Sequence, residues 1–180
     1  MDIREISDQF FVAPQITEAD LSALREKGIQ SVICNRPDGE GADQPTFEEL
    51  SRTVAKLGLE MRYIPVSGGL VRDEDAAAFG SALDALPKPV LAYCRTGTRS
   101  AALWSLAQAK DMPLADILSA TKKAGYDMKG VVRRIANGGK TPVDQADVSY
   151  DVVVVGAGAS GIAVAAGLKH RMPGLEIAVI

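Results

Sequence analysis

The chain has 180 residues, 47% of them hydrophobic and 24% charged, with a formal net charge of −3. The apolar fraction is ample for a core, and the length predicts one domain plus a further piece. A slightly negative charge with no basic run argues against nucleic-acid binding. The mixed charges of residues 1–8 are unlike the apolar stretch of a signal peptide, and two cysteines without framework spacing fit a reducing compartment, so a cytoplasmic protein is expected.

Residues 3–16, with Phe10, Phe11 and Val12 at their centre, read as one or two short strands ending at Pro14. Thr17 then serves as a helix N-cap with Glu18 and Asp20 in the first turn, Leu21 and Leu24 face inward, and Gly28 stops the helix. Residues 29–34 are β-branched enough for a strand, and residues 35–40 form a turn-rich loop at its C-terminal end, where open α/β sheets bind ligands. Thr46 and Glu49 make a capping box for a helix to about Gly58. A strand over residues 60–66 closes with Ser67, Gly68 and Gly69, and Asp73, Glu74 and Asp75 open a helix through Leu86. After the Pro87-Lys88-Pro89 breaker, residues 90–93 are a buried strand and residues 100–109 a helix with Leu103, Trp104 and Leu106 as core. Helical stretches follow near 114–124 and 129–136. Alternating strands and helices predict a parallel sheet covered by helices.

The chemistry concentrates between that last strand and its helix, at Cys94-Arg95-Thr96-Gly97-Thr98-Arg99-Ser100. A strand-to-helix turn points backbone N–H groups at whatever occupies it, and the helix dipole favours negative charge there. Arg95 and Arg99 add positive charge beside the thiol, which favours the thiolate and makes Cys94 a candidate nucleophile. Gly97 permits a positive φ, and Arg99 offers an oxyanion a bidentate fork. Arg95, Thr96, Gly97, Thr98 and Ser100 are the expected anion-binding loop.

This loop resembles the active-site loop of rhodanese sulfurtransferases and, more distantly, that of tyrosine and dual-specificity phosphatases. The phosphatase signature places five residues between Cys and Arg and usually a His before the Cys. Here four residues separate Cys94 from Arg99, and Tyr93 precedes the thiol. The shorter ring encloses less space and suits a persulfide better than a tetrahedral phosphoryl group. Residues 31–40, 63–69 and 92–101 resemble the phosphatase-like domain of beta-lactamase-hydrolase-like proteins, a likeness covering about residues 1–136. It implies an α/β sandwich like that of dual-specificity phosphatases and a link to sulfide metabolism.

A phosphatase needs a general acid, for which Asp38, Glu40, Asp73 and Asp75 are candidates; Asp73 or Asp38 would act as that acid beside Cys94 and Arg99. Asp73 and Asp75 also suit a helix N-terminus, and Asp38 a Pro-Asp-Gly turn. Sulfur transfer requires no such acid. Cys34 is a core thiol or a resolving one, Arg36 serves the pocket or its loop, and His170 suits a helix end. No residues show metal-ligand spacing.

Residues 137–149 are small and polar and read as a linker. Residues 150–180 then give a strand, the glycine pattern Gly156, Gly158, Gly161, a helix, and a second strand, which is a dinucleotide-binding fingerprint. It resembles the start of FAD-dependent pyridine-nucleotide-disulfide and sulfide:quinone oxidoreductases, a truncated Rossmann βαβ unit. Within this length it is not expected to hold FAD or NAD(P), and residues 1–136 need no cofactor. A membrane span over residues 152–168 is a poor alternative given its glycines and length.

The expected function is a cysteine-dependent sulfurtransferase, taking sulfur from a sulfane donor onto Cys94 and passing it to a thiol or other nucleophilic acceptor. The alternative is a phosphoester hydrolase acting through phosphocysteine. A third is a non-catalytic anion- or redox-sensing module.

Overall fold

The computed structural model describes residues 2–42, 44–67, 71–142, 151–156, 158–175 and 177–179. Gly68 and Gly69 of the expected loop, residues 143–149 of the expected linker, Tyr150, Glu176 and Ile180 lie outside the described residues. Two compact units emerge, Met1–Pro142 and Val143–Ile180.

In the first unit five strands form one sheet: β1 (Arg4–Ser7), β2 (Phe10–Ala13), β3 (Ser31–Cys34), β4 (Glu60–Tyr63) and β5 (Val90–Tyr93). Their order is β1-β2-β5-β3-β4. The pairs β2–β5, β5–β3 and β3–β4 are parallel, as the alternation of elements predicts, but β1 runs antiparallel to β2. The sheet is therefore mixed, which corrects the all-parallel expectation. Only Asp8 and Gln9 connect β1 to β2, and a connection that short folds a strand back on itself, whereas a parallel neighbour needs a crossover.

Side chains alternate across the sheet with period two. Phe10, Val12, Ile33, Val90 and Ala92 face one core, while Phe11, Ala13, Val32, Cys34, Leu91 and Tyr93 face the other. The second face is covered by α1 (Glu18–Glu26) through Leu21 and Leu24, and by α2 (Phe47–Lys56) through Leu50 and Val54. Both helices start where their caps predict. Asp20 accepts from the Thr17 N–H at 2.8 Å, and Thr46 and Glu49 close a capping box. The first face is covered by α3 (Asp73–Ala85), α4 (Thr98–Gln108), α5 (Leu114–Lys123) and the short α6 (Val132–Ala136).

Helix α4 runs through the middle of this layer, and its residues 100–106 are all buried. A helix apolar on every side belongs in an interior, and its two buried serines are satisfied: Ser105 donates to the Ala101 carbonyl at 2.8 Å, and Ser100 donates to Asn35. Phe10 stacks on Trp104 with ring centroids 5.8 Å apart and meets Phe79 edge-on at 6.0 Å, locking β2 to α4 and α3. Residues 137–142 belong to the first unit rather than to a free linker. The backbone N–H and hydroxyl of Thr141 both bind Asp73, and a Cβ at Gly139 would fall 2.1 Å from the Leu106 carbonyl oxygen.

In the second unit β6 (Val152–Val154) and β7 (Ile177–Val179) pair in parallel around α7 (Ala159–Arg171). No residue of α7 is buried, and Val153, Val155, Ile162 and Val164 are exposed. Among the described residues no helix is long and apolar enough to cross a membrane.

Phe10→Ala empties the contact that joins sheet, α3 and α4, and is expected to cost about 3–5 kcal/mol of stability. Urea unfolding followed by tryptophan fluorescence measures it; a cost under ~1 kcal/mol contradicts the packing described.

Candidate active site

Strand β5 is the central strand, and all four of its residues are buried. It delivers Cys94 to the C-terminal edge of the sheet, where the chain turns into α4 within four residues. Gly97 makes that turn possible with a φ of +88°, the left-handed region open to glycine. Its N–H then donates to Cys94 Sγ at 3.1 Å. The thiol is 1% exposed, so the sulfur faces backbone N–H rather than bulk water.

Arg99, on the first turn of α4, is fixed by two acceptors from the neighbouring strand's loop. Nη1 donates to the Asn35 carbonyl at 3.1 Å and Nη2 to Glu40 Oε1 at 2.7 Å. The other Glu40 oxygen accepts from Arg36 Nε at 2.9 Å, and Arg36 Nη1 donates to Gln15 Oε1 at 2.9 Å. Glu40 thus joins two guanidinium groups, one from its own loop and one from the first turn of α4. Burial alone would push its carboxyl up, but the hydrogen bonds and charges of Arg99 and Arg36 outweigh that and hold it below the usual carboxylate value. Asn35 is buried beside them, its amide donating to the Ile64 carbonyl at 3.0 Å and its side-chain oxygen accepting from Ser100 Oγ at 2.9 Å.

A cleft of about 800 Å³ opens over Cys94, with Arg95, Thr96, Thr98 and Arg99 on one wall. Asp73 and Glu74 at the start of α3, Arg134 and Thr141 line the cleft as well. The expected residues Cys94, Arg95, Thr96, Gly97, Thr98, Arg99 and Asp73 therefore meet at one place. Ser100 differs, since it is buried and turned toward Asn35 behind the loop.

The candidate acids have other partners. Asp73 accepts from the Thr141 hydroxyl at 2.7 Å, the Thr141 N–H at 3.0 Å and Arg134 Nη2 at 2.7 Å. The Thr141 bonds first, with Arg134 beside them, hold its carboxyl below the ordinary value. Asp38 caps α2, accepting from the Phe47 N–H at 2.8 Å, and Asp75 accepts from the Arg72 N–H at 2.9 Å.

Cys34 pairs in register with Tyr93 and lies in the core under α1 and α2, where its thiol donates to the Arg36 carbonyl at 3.2 Å. Burial pushes that thiol up from its ordinary value, so Cys34 is a core residue first. Arg36, Glu40, Asn35 and Gln15 are the residues that bind the Arg99 side of the site together. Their signal in sequence was position alone, at the C-terminal ends of β2 and β3. Among the described residues no cluster of His, Cys, Asp and Glu could hold a metal ion.

A thiol at the carboxyl end of a central strand, facing a helix N-terminus with an arginine fixed alongside, defines a class of cysteine-centred anion sites on an α/β sheet. Within that class, residues 2–111 match the family described as beta-lactamase hydrolase-like protein, phosphatase-like domain, and the chain belongs to that family. It is thereby a member of a phosphatase-like hydrolase family. A beta-lactamase hydrolase-like protein from Agrobacterium fabrum is 32% identical over 130 residues, which are 71% of this chain and 30% of that protein. One from Xylella fastidiosa is 29% identical over 111 residues, 62% of this chain and 26% of that protein. The matched part therefore spans under a third of these relatives' length. A crystal structure from Neisseria meningitidis, provisionally described as a phosphatase, is 32% identical with a TM-score of 0.69, covering 77% of this chain and 99% of that one. The core catalytic domain of the PP-IP phosphatase SIW14 from S. cerevisiae shares the fold at 14% identity, with a TM-score of 0.57 over 82% of this chain and 90% of that one.

Two predictions follow from the bonds around Cys94. Glu40 is stabilised in its charged form on folding, so the stability advantage of the native chain over Glu40→Gln is full above the ordinary carboxylate value of 4.5 and is lost as pH falls below it. Urea midpoints of both proteins across pH 3 to 7 test this, and a difference that does not change with pH contradicts it. Gly97→Ala forces a side chain into a left-handed backbone and to within 2.2 Å of the Tyr126 hydroxyl. It is expected to cost roughly 1–3 kcal/mol in stability and to slow Cys94 alkylation at least ~10-fold.

Proposed function

We propose that the first unit is a thiolate hydrolase in which Cys94 attacks a phosphoryl ester. The arrangement that carries this reading is a sulfur held by the Gly97 N–H beside the fixed Arg99 fork, opening on a cleft lined by Arg95, Thr96 and Thr98. Family membership and the fold shared with phosphatase structures support it. Cys94 Sγ forms a bond to phosphorus as the ester P–O bond breaks, the loop N–H groups and Arg99 stabilising the equatorial oxygens. Water then cleaves the P–S bond, releasing phosphate and restoring the thiolate.

Of the two acids that line the cleft, Asp73 is tied to Thr141 and Arg134, and Glu74 stands beside it at the start of α3. Without a proton from Asp73 the leaving group departs more readily from aryl esters or anhydrides than from alkyl esters. Asp73→Asn is expected to retain aryl phosphatase activity within about threefold, whereas Cys94→Ser abolishes it and Arg99→Lys lowers it by ~10²-fold. Steady-state assays on an aryl and an alkyl phosphate check all three. An Asp73→Asn loss as large as that of Arg99→Lys would restore Asp73 as the acid.

A second reading, sulfur transfer, draws support from the four-residue spacing between Cys94 and Arg99 and requires no general acid. Cys94 would attack the outer sulfur of a sulfane donor such as thiosulfate, the S–S bond would break with loss of sulfite, and the persulfide would pass to a thiol or cyanide. Cys94-dependent thiocyanate formation without phosphate release would establish it. Tight anion binding without either turnover would leave the sensing module.

We read the second unit as a βαβ unit of the FAD- or NAD(P)-binding kind. Gly156 has a φ of +110°, and a Cβ at Gly161 would lie 1.8 Å from the Gly156 carbonyl oxygen. That close turn between strand and helix supports a pyrophosphate-binding role for Gly156, Gly158 and Gly161.

A further inference from the structure

Tyr126 presents a buried polar group that the reading above does not use. The residue is 6% exposed and packs in the core beneath α4, and its hydroxyl has no hydrogen-bond partner among the described residues. The hydroxyl lies against the nucleophile loop. A Cβ built on Gly97 would stand 2.2 Å from Tyr126 Oη and 3.0 Å from Val12 Cγ1. Gly97 is also the residue whose N–H donates to Cys94 Sγ. The Arg4 guanidinium lies over the tyrosine ring, 5.2 Å from its centroid, which fixes the ring from the outside.

Phenylalanine would fill this space without burying an unsatisfied hydroxyl. The hydroxyl therefore weakens the structure in which it has no partner. We propose that Tyr126 is a positioning residue of the nucleophile loop, its hydroxyl turning to donate to the Cys94 sulfur when that sulfur is charged. The missing Cβ of Gly97 leaves the hydroxyl the space to do so. Burial pushes the phenol above its ordinary value despite Arg4, which keeps it a donor at neutral pH. The proposal rests on Cys94 acting as a thiolate, the feature that hydrolysis and sulfur transfer share.

The test compares the full chain with its Tyr126→Phe variant by two measurements: the rate of Cys94 alkylation by iodoacetamide at pH 7, with Cys94→Ser as blank, and the thermal midpoint. The expected result is alkylation slowed by roughly tenfold with a thermal midpoint equal to or above the parent's, because an uncompensated buried hydroxyl has gone while a donor to charge has been lost. An alkylation rate within twofold of the parent overturns the proposal, and so does a slower rate accompanied by a lower midpoint, which would assign the hydroxyl a structural partner. A parent chain whose Cys94 does not alkylate contradicts the nucleophile reading itself, so the two failures are distinct.

Discussion

A buried sulfur that, on the function proposed above, must carry charge is the constraint around which the first unit is arranged. Cys94 is almost fully enclosed, and a charge there needs donors that the protein supplies. The Gly97 N–H provides one at 3.1 Å, and it can do so only because Gly97 takes a left-handed backbone that brings the first turn of α4 over the thiol. The burial of α4 on every side then holds that turn in place, since the helix cannot shift without disturbing the Trp104 and Phe10 stack. Stability of the core and geometry of the loop are the same set of contacts.

Arg99 illustrates how a flexible side chain becomes a fixed one. Two of its five N–H donors are held by the Asn35 carbonyl and Glu40 before any ligand arrives, and Glu40 is itself held by Arg36. Side-chain entropy is thereby removed in the folded state rather than on binding. The arrangement also explains why the loop between β3 and α2 belongs to the site. In a parallel sheet the ends of β3 and β5 lie side by side, so residues following Cys34 and residues following Tyr93 meet at one edge.

What was legible in the sequence was what is encoded locally. The cap residues Thr17, Thr46 and Glu49, the strand before Cys94, the glycine turn and the helix after it all depend on neighbours within a few positions. The antiparallel β1 escaped because alternation says nothing of the direction of an edge strand joined by two residues. Asn35, Gln15 and Tyr126 escaped because their partners lie far along the chain, as Ser100 does for Asn35. Asp73 was found as a member of the cleft, but Thr141, which ties it down, lies in a stretch whose composition reads as linker. That contact gives Asp73 partners of its own within the cleft, beside the proton-donor role expected of it.

Fold and family place the chain among phosphatase-like hydrolases, while loop length keeps sulfur transfer in view, and both chemistries pass through a covalent adduct on one atom. The most direct measurement is therefore the intact mass of the chain after rapid acid quench during turnover of an aryl phosphate, with peptide mapping of the modified residue and a parallel sample treated with thiosulfate. The account predicts a single phosphoryl group on Cys94 from the aryl phosphate. An adduct formed only with thiosulfate, adding one sulfur atom to Cys94, would contradict it.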